Sequence, residues 1–328
     1  MAAEAPPALT AAERSTRIKR RALELGFDSA GVTDLTPVPH ADVLDRWLAQ
    51  GLAGTMRYMH RQAARRRQPA RIVPGATRAV VVTRNYYRSD PGPEAGAGRV
   101  AKYARGPDYH VALDGPLHAL AEFVASLGPE RTVARAFIDA GPVPERELAQ
   151  RAGLGWIGKN TMLIDPERGS FVFLAAVLTD LDAQVDRPFE ADRCGTCTRC
   201  LEACPTDAFR EPRLLDATRC IAYLTIEHRG ATPPDLATAT GDWIFGCDVC
   251  QNVCPWNAKF AHPSTGAELA TDPDRAWVAL DQFDALSETT FHASFGWTPL
   301  ARPGLEGMRR NARVAKANIT REGACPSP

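Results

Sequence analysis

Eight of the nine cysteines in this 328-residue sequence fall within one short segment, where their spacing could bind metal. The first group has gaps of two, two and three residues and ends at a proline: Cys194, Cys197, Cys200, Cys204 and Pro205. Bacterial ferredoxins use this spacing, and the last cysteine of such a run binds the neighbouring [4Fe–4S] cluster. Thiolates are soft ligands that suit iron–sulfur chemistry. The group therefore predicts iron–sulfur clusters.

A second cysteine group repeats the pattern further along the chain. It consists of Cys220, Cys247, Cys250 and Cys254, and Cys254 is again followed by proline. The crossing of the last cysteine predicts one cluster on Cys194, Cys197, Cys200 and Cys254, and another on Cys204, Cys220, Cys247 and Cys250. Because an inserted segment delivers Cys220, the spacing favours a module built into a larger enzyme over a free carrier.

Zinc and disulfides are the alternatives for these cysteines. Pairs of cysteines two residues apart also occur in structural zinc sites, but the doubled Cys-Pro pattern favours clusters. A cytoplasmic chain keeps its thiols reduced, which argues against disulfides. Cys325 stands alone near the C-terminus, and we assign it no role.

Asp139 is a candidate proton donor. It follows a strand predicted over residues 132–138, and a carboxyl at the end of a strand can donate a proton if burial raises its pKa. The alternative is a carboxylate that caps the loop before Pro142 and Pro144.

A glycine-rich segment follows, with Gly153, Gly155 and Gly158 ahead of Lys159 and Asn160. Glycines let the backbone approach a flat or phosphate-bearing ligand closely. The spacing is not that of a P-loop. A tight connection between a helix and a strand explains the glycines equally well.

Three further side chains could serve a cofactor from residues 103–110. Tyr103 and Tyr109 are aromatic, and His110 could coordinate a metal, although we favour a hydrogen-bonded histidine near a turn. Asp248 and Val249 lie between two cysteines of the second group. If that cluster passes electrons to another centre, this loop must lie against that centre.

Two arginine-rich segments could bind phosphate. The first contains Arg57, Arg61, Arg65, Arg66, Arg67 and Arg71, and the second contains Arg309, Arg310 and Arg313. Guanidinium groups suit phosphate, but a run of charge is also typical of a solvated helical face. Both interpretations stay open.

Mixed secondary structure is predicted around these residues. Periodicity and capping signals predict helices over residues 11–25, 41–50, 117–127, 145–152 and 306–317, and strands over 78–87, 132–138 and 171–178. Residues 89–98 are rich in glycine and proline and predict a flexible surface loop. Strands that alternate with helices favour an α/β or α+β layer domain.

Composition sets limits on function. The chain has 39 basic and 39 acidic residues, so its bulk charge predicts neither a nucleic-acid binder nor a membrane-surface binder. The longest apolar run, 171–179, is too short to span a bilayer as a helix. The N-terminus lacks the apolar stretch of a secretory signal. We expect a cytoplasmic protein that does not enter membranes.

These features together resemble the epoxyqueuosine reductase family. The matching stretches are YARGPDYH at 103–110, DAGPVPERELAQRAGLGWIGKNTMLI at 139–164, GSFVF at 169–173, CIAYLTIE at 220–227, GCDVCQNVCPW at 246–256 and RRNARVAKAN at 309–318. The similarity extends from about Leu23 to Asn318. Many members also carry a C-terminal helical-repeat extension, which we expect this chain to lack.

The resemblance implies an enzyme with two [4Fe–4S] clusters and cobalamin that reduces epoxyqueuosine in the anticodon loop of a tRNA. It implies that an external electron donor supplies the clusters, that no histidine binds the cobalt, and that Asp139 donates the proton. The residues implied to contact cobalamin are Arg61, Tyr103, Asp139, Lys159, Asn160, Ser170, Asp248 and Val249.

The predicted fold class is α+β. It comprises an N-terminal α/β cobalamin-binding layer domain over residues 1–185, a ferredoxin-like module over 186–262 and a C-terminal helical tail over 263–328, in a monomer. Two other functions are weighed: a reductive dehalogenase-like corrinoid enzyme, and a non-catalytic iron–sulfur electron carrier. Cobalamin binding would exclude the carrier, and activity on tRNA would exclude the dehalogenase.

Overall fold

In the computed structural model, which describes residues 9–270 and 273–323, the chain has a mixed α+β fold. In chain order the strands are β1 Ser29–Asp34, β2 Arg78–Asn85, β3 Ala97–Val100, β4 Ala134–Ile138, β5 Trp156–Ile157, β6 Leu163–Ile164, β7 Val172–Thr179, β8 Phe209–Glu211, β9 Leu214–Leu215, β10 Trp243–Phe245 and β11 Trp277–Ala279. The helices are α1 Ala11–Glu24, α2 Ala41–Ala49, α3 Arg57–Arg61, α4 Ala63–Arg67, α5 Tyr109–Ala112, α6 Asp114–Ser126, α7 Glu145–Arg151, α8 Arg199–Glu202, α9 Ile221–Ile226, α10 Pro234–Ala237, α11 Val249–Asn252, α12 Pro255–Phe260, α13 Gln282–Ala285, α14 Glu288–Phe295 and α15 Gly304–Gly323. Cys325 lies outside the described residues.

The largest sheet has the strand order β1-β2-β7-β4, and each neighbouring pair is antiparallel. Val80 and Val82 of β2 face one core, whereas Ala79 and Val81 face another. Because both faces are buried, β2 and β7 are continuous apolar runs of the kind that parallel strands also show. The sheet is therefore of the α+β type, whereas an α/β layer was predicted for this part of the chain.

Helices cover both faces of this sheet. Ile18 of α1 and Leu120 of α6 lie in the core on one face, and Leu148 of α7 lies in the core on the other. Thr10 and Glu13 form a capping box that begins α1, as the polar residues there predicted. Helix α6 begins three residues before its predicted start, and α15 extends beyond both of its predicted ends.

A smaller sheet brings distant parts of the chain together. Strand β3 pairs in parallel with β10 and antiparallel with β11. Its core contains Phe245, Phe283 and Phe291. The loop predicted over 89–98 is corrected in part, because its last two residues belong to β3 and Asp90 pairs with Lys102 and Arg105. The division at residues 185 and 262 stays a prediction.

Short helices and turns carry the cysteine segment. Cys200 lies in α8 and Cys250 in α11, while Cys220 and Cys254 precede α9 and α12 as N-cap residues. Across the described ranges, no helix is long and apolar enough to cross a membrane.

Candidate active site and cluster-binding loops

The cysteine thiols fall into two electrostatic groups. Burial raises the pKa of Cys200, and the next largest contributions come from Cys194 and Cys254. The pKa of Cys254 is likewise raised by burial, with contributions from Cys194 and Cys197. These four thiols are the set that the crossing rule predicts for the first cluster.

The remaining thiols form the second group. Burial raises the pKa of Cys247, and Cys220 and Cys204 raise it further. Cys250 has a pKa well above the usual thiol value, through burial and then through Cys247, Cys220, Asp248 and Cys200. Because Cys200 contributes to Cys250, the two groups adjoin.

All eight thiols are free of disulfides, so they are available to bind metal. Within the described residues, no three His, Cys, Asp or Glu side chains are arranged around a single point as for one metal ion. Eight thiols in two adjoining groups of four suit two clusters with four cysteine ligands each. The donor set therefore fits the two clusters that the spacing predicts.

The two cysteine loops differ in exposure. In the first loop, residues 194–204, Gly195, Thr196 and Thr198 between the cysteines are exposed. In the second loop, residues 247–254, Asp248 and Gln251 are buried. One loop therefore faces solvent, and the other faces the protein interior.

Asp139 lies directly after β4, where the chain leaves the large sheet. Its φ of 43° is a left-handed conformation that few non-glycine residues adopt. The Tyr109 hydroxyl donates a short hydrogen bond to Asp139 Oδ2. The Arg66 guanidinium donates to Gly141 O at 3.1 Å and to Val143 O at 3.5 Å, which fixes the loop that follows Asp139. Backbone strain of this kind is often found at functional sites.

Ionisable side chains surround Asp139. Burial raises the pKa of Glu145 to about 8, and the Asp139 carboxylate adds to the effect. The pKa of Tyr58 is raised by burial, with a smaller contribution from Asp139. Asp139 itself is exposed, and Glu145 and Tyr58 are half-buried, so these groups line an open site. Titratable groups that perturb one another are typical of catalytic sites.

Glu145 and Tyr58 had not been predicted as site residues. The sequence showed Glu145 only as the start of a helix after Pro144, a position where an acidic residue is common. Its position six residues after Asp139 was the only available signal. That spacing does not predict proximity unless the conformation of the intervening loop is known.

Tyr103 connects Asp139 to the second loop. Its ring centroid lies 6.1 Å from that of Tyr109 and 6.0 Å from that of Phe245. A Cβ on Gly246, the residue before Cys247, would lie 3.3 Å from Tyr103 Cε1. The pKa of Tyr103 is raised by burial, and then by the charge of Asp139 among other groups. Tyr103 is therefore a neighbour of both Tyr109, which binds the candidate acid, and the start of the second cysteine loop.

Asn160 and Ser170, two of the predicted cobalamin contacts, form hydrogen bonds that support the second loop. Asn160 Nδ2 donates to Cys250 O at 3.5 Å. The Ser170 hydroxyl donates to Gln251 Oε1 at 3.0 Å, and the Ser170 amide donates to Asn257 Oδ1 at 2.6 Å. Both residues are buried, so they position this loop whether or not they also reach a cofactor.

Asp248 is the most enclosed polar residue of the second loop, with 1% of its surface exposed. Its Oδ2 accepts a hydrogen bond from the Lys102 amide at 2.8 Å. Its Oδ1 is buried, and no partner for it occurs among the described residues. A buried carboxylate oxygen left unpaired is costly, so a ligand that donates a hydrogen bond here fits the site.

Lys159 lies at the first loop. Its ammonium donates to Gly195 O at 2.7 Å and to Cys197 O at 2.9 Å. The glycines before it are required by packing within the chain, since a Cβ on Gly155 would lie 2.2 Å from Ile164 O. The tight-connection interpretation of this segment is thus the one that the packing favours, and the cobalamin contact of Lys159 stays a prediction.

The two arginine-rich segments differ in how their guanidinium groups are used. Arg67 pairs with Asp45, and Arg61 is exposed. Arg309 donates to Phe283 O and Leu286 O, and Arg310 donates to the carbonyls of Leu224, His228 and Gly230. These two guanidinium groups hold α15 against the protein. In the first segment Arg57, Arg61, Arg65 and Arg71 are exposed, which makes that segment the better candidate for phosphate.

His110 is hydrogen-bonded, as we favoured. Its Nδ1 lies 2.7 Å from Asp108 Oδ1, and its ring stacks on Tyr109 at a centroid distance of 4.2 Å. His110 thereby supports the tyrosine that donates to Asp139.

Comparison with known proteins decides the family. A family model described as "4Fe-4S double cluster binding domain" matches residues 193–257, and one described as "Epoxyqueuosine reductase QueG, DUF1730" matches residues 66–140. An epoxyqueuosine reductase of Xanthomonas campestris is 42% identical over 313 residues, which cover 93% of this chain and 87% of that protein. The chain belongs to the epoxyqueuosine reductase family. The family member from Cyclobacterium marinum is 39% identical and is covered to 97% of its length.

Solved structures of family members share the fold. An epoxyqueuosine reductase crystallised with an epoxyqueuosine-modified tRNA-Tyr stem loop matches with a TM-score of 0.83 and 31% identity, over 94% of this chain and 82% of that one. A structure of the Bacillus subtilis family member, described with an aspartate-bearing catalytic loop swung out of its active site, matches with a TM-score of 0.81 and 30% identity, over the same shares of the two chains.

Proposed function

We propose that this chain reduces epoxyqueuosine to queuosine in tRNA, the last step of queuosine synthesis. The observation that carries the proposal is the position of Tyr103, whose ring centroid lies 6.1 Å from that of Tyr109, the hydrogen-bond donor to Asp139, and whose edge approaches Gly246 at the start of the second cysteine loop. In an epoxyqueuosine reductase, this arrangement would bring a source of electrons and a source of protons to one site.

The reaction removes the epoxide oxygen as water and leaves a carbon–carbon double bond. It consumes two electrons and two protons, and an external reductant supplies the electrons. Asp139 protonates the departing oxygen, and Tyr109 holds the carboxyl in place through its hydrogen bond. Glu145, whose pKa of about 8 keeps it largely protonated at neutral pH, is suited to restore the proton to Asp139.

The cysteines of the two loops would hold two [4Fe–4S] clusters, which would supply the electron-transfer chemistry. We assign Cys194, Cys197, Cys200 and Cys254 to the first, and Cys204, Cys220, Cys247 and Cys250 to the second. The exposed first loop is the point of entry for an external donor, and the buried second loop is the point of delivery.

Cobalamin is the proposed final electron carrier. When bound, it supplies a strongly reducing cobalt centre that can open the carbon–oxygen bond. The unpaired Asp248 Oδ1 fits its amide-rich periphery, since an amide N–H can donate to a carboxylate. We propose contacts from Arg61, Tyr103, Asp139, Lys159, Asn160, Ser170, Asp248 and Val249.

The proposed partner is a tRNA that carries epoxyqueuosine in its anticodon loop. A structural relative was solved with such a modified stem loop. Unpaired nucleotides can be turned out of a loop and held in a pocket, which Asp139 requires if it is to reach the modified base. We further propose a cytoplasmic monomer.

An anaerobic assay on tRNA that contains epoxyqueuosine tests the function. The cluster-reconstituted protein receives a strong reductant, with or without cobalamin, and nucleosides are analysed by mass spectrometry. Loss of one oxygen atom only with cobalamin supports the proposal. If reducible clusters and bound cobalamin give no product, the substrate is that of another corrinoid reductase. Failure to bind cobalamin would instead identify an electron carrier.

A further inference from the structure

The indole of Trp156 points at a predicted cluster ligand. Trp156 is 2% exposed, and its Nε1–H donates to Cys194 Sγ across 3.4 Å. Its ring stacks on Phe189 at a centroid distance of 5.5 Å and meets the edge of Trp256 at 4.8 Å. The side chain is thus held from two sides, and its N–H is shielded from water.

The segment around Trp156 is braced against the first loop. Three residues on, the Lys159 ammonium donates to Gly195 O and Cys197 O. Arg213 donates to Ile157 O at 2.9 Å and to the Asp192 carboxylate at 2.7 Å. The same carboxylate accepts a hydrogen bond from the Cys194 amide at 3.0 Å. The indole and the sulfur are therefore fixed relative to each other by polar contacts on both segments.

We propose that Trp156 raises the reduction potential of the first cluster through this N–H···S hydrogen bond. Reduction adds one electron to the cluster, supplied by the external donor, and increases the negative charge on the cysteine sulfurs. A hydrogen bond to a charged acceptor is stronger than one to a neutral acceptor, so the bond stabilises the reduced cluster more than the oxidised one. The inference rests on the proposed function only for the assignment of Cys194 to a cluster.

The proposal gives a role to Trp156 within residues 153–160, GLGWIGKN, whereas the family resemblance implied roles only for Lys159 and Asn160 of this segment. Its glycines allow the sharp path that brings Trp156 and Lys159 to the same loop. A raised potential suits the cluster nearest to solvent, because that cluster must accept electrons from a separate protein or small reductant. Lys159 acts as a positioning residue in this scheme, since it touches the loop backbone and not a sulfur.

Trp156→Phe removes the N–H and keeps a ring in the aromatic cluster. Trp256→Phe is a matched control from the same cluster, because its indole donates to Arg193 O at 3.2 Å and not to sulfur. The holoenzymes are first matched for iron and sulfide content, then titrated potentiometrically with detection by electron paramagnetic resonance. We expect one of the two cluster potentials to become more negative in Trp156→Phe, and neither to move in Trp256→Phe. Equal shifts in the two variants, or no shift in Trp156→Phe, would overturn the proposal.

A second measurement needs no substitution, in case Trp156→Phe fails to assemble its clusters. The chain is labelled with ¹⁵N in the indole ring of tryptophan, reduced, and examined by pulsed electron paramagnetic resonance. We expect a ¹⁵N hyperfine coupling to a reduced cluster that persists in labelled Trp256→Phe. Absence of the coupling in the unsubstituted chain would overturn the proposal. Turnover of tRNA by that chain is measured separately, so a failure here is distinct from a failure of the proposed function.

Discussion

The two cysteine loops have nearly the same spacing but opposite surroundings. The first loop exposes Gly195, Thr196 and Thr198 between its cysteines. The second loop buries Asp248 and Gln251, and it is supported by Asn160 and Ser170, which precede the cysteine segment. Spacing alone therefore predicts ligands, whereas the surrounding protein sets which cluster meets solvent.

This difference indicates a direction for electron flow. A cluster at the surface can accept electrons from a separate donor, and a cluster beside Tyr103 can pass them towards Asp139. The adjoining thiols of Cys200 and Cys250 link the two groups. The account predicts that damage at the two loops has different consequences, although each loop contributes ligands to both clusters.

The largest effect is expected from Cys250→Ala in the second loop. It should remove half of the bound iron and reduce turnover to the background rate with any reductant, because the delivery cluster is lost. Cys194→Ala should also remove half of the iron, but it should keep measurable turnover with a small diffusible reductant that can reach the second cluster. Iron analysis and the tRNA assay check both variants. Equal loss of turnover with the small reductant would remove the distinction between the loops.

Asp139→Asn should lower turnover by about 100-fold or more, since general acids contribute on the order of 10²–10⁴ to rate. Reduction of the clusters should be unchanged, because Asp139 lies beyond the second loop. Single-turnover rates and cluster spectra measure the two steps separately. Asp108→Asn, which changes a carboxylate hydrogen-bonded to His110, is the nearby control. A variant with normal turnover would show that Asp139 is not the proton donor.

Tyr109→Phe should lower turnover by about tenfold, the worth of one hydrogen bond to a charged group. The ring would still stack on Phe173, at a centroid distance of 4.3 Å, so the fold should persist. Tyr87→Phe is the control, because Tyr87 lies outside the candidate site and its ring packs on Phe171 at a centroid distance of 5.1 Å. If both variants lose the same activity, the hydroxyl on Asp139 has no special role.

The smallest effect concerns Glu145 and pH. Its folded pKa of about 8 lies above the ordinary value of 4.5, so the folded state binds this proton more tightly than the unfolded state does. The resulting stability is complete below about pH 4.5 and is lost as pH rises through 8. Glu145→Gln should flatten this fall in the free energy of unfolding, measured by urea denaturation at several pH values. If the pH dependence of the free energy of unfolding is the same in Glu145→Gln, Glu145 is solvated and has an ordinary pKa.

Much of the scaffold could be predicted from the sequence. The capping signal at Thr10 and the apolar runs of β2 and β7 mark elements through local pattern, and the structure contains them. The cysteine spacing predicted which thiols share a cluster, and that assignment stays a prediction. Strand direction was not predicted, because burial on both faces gives the same apolar run in either orientation.

The candidate site was predicted only in part. Asp139 could be found at the end of a predicted strand, but Glu145 becomes a neighbour only when the loop held by Arg66 folds back. The contact of Trp156 with Cys194 was not predicted either, because the two residues are 38 positions apart and no local pattern links them. Long-range contacts of this kind depend on the packing of the whole chain.

The most direct test of the account is a single turnover without external reductant. The holoenzyme with cobalamin is fully reduced, freed of excess reductant, and mixed anaerobically with tRNA that contains epoxyqueuosine, while cluster oxidation and nucleoside mass are followed together. The account predicts that clusters are oxidised only when substrate is present, with one queuosine formed for every two electrons lost. Product formed while the clusters stay reduced, or oxidation of the clusters without product, would contradict it.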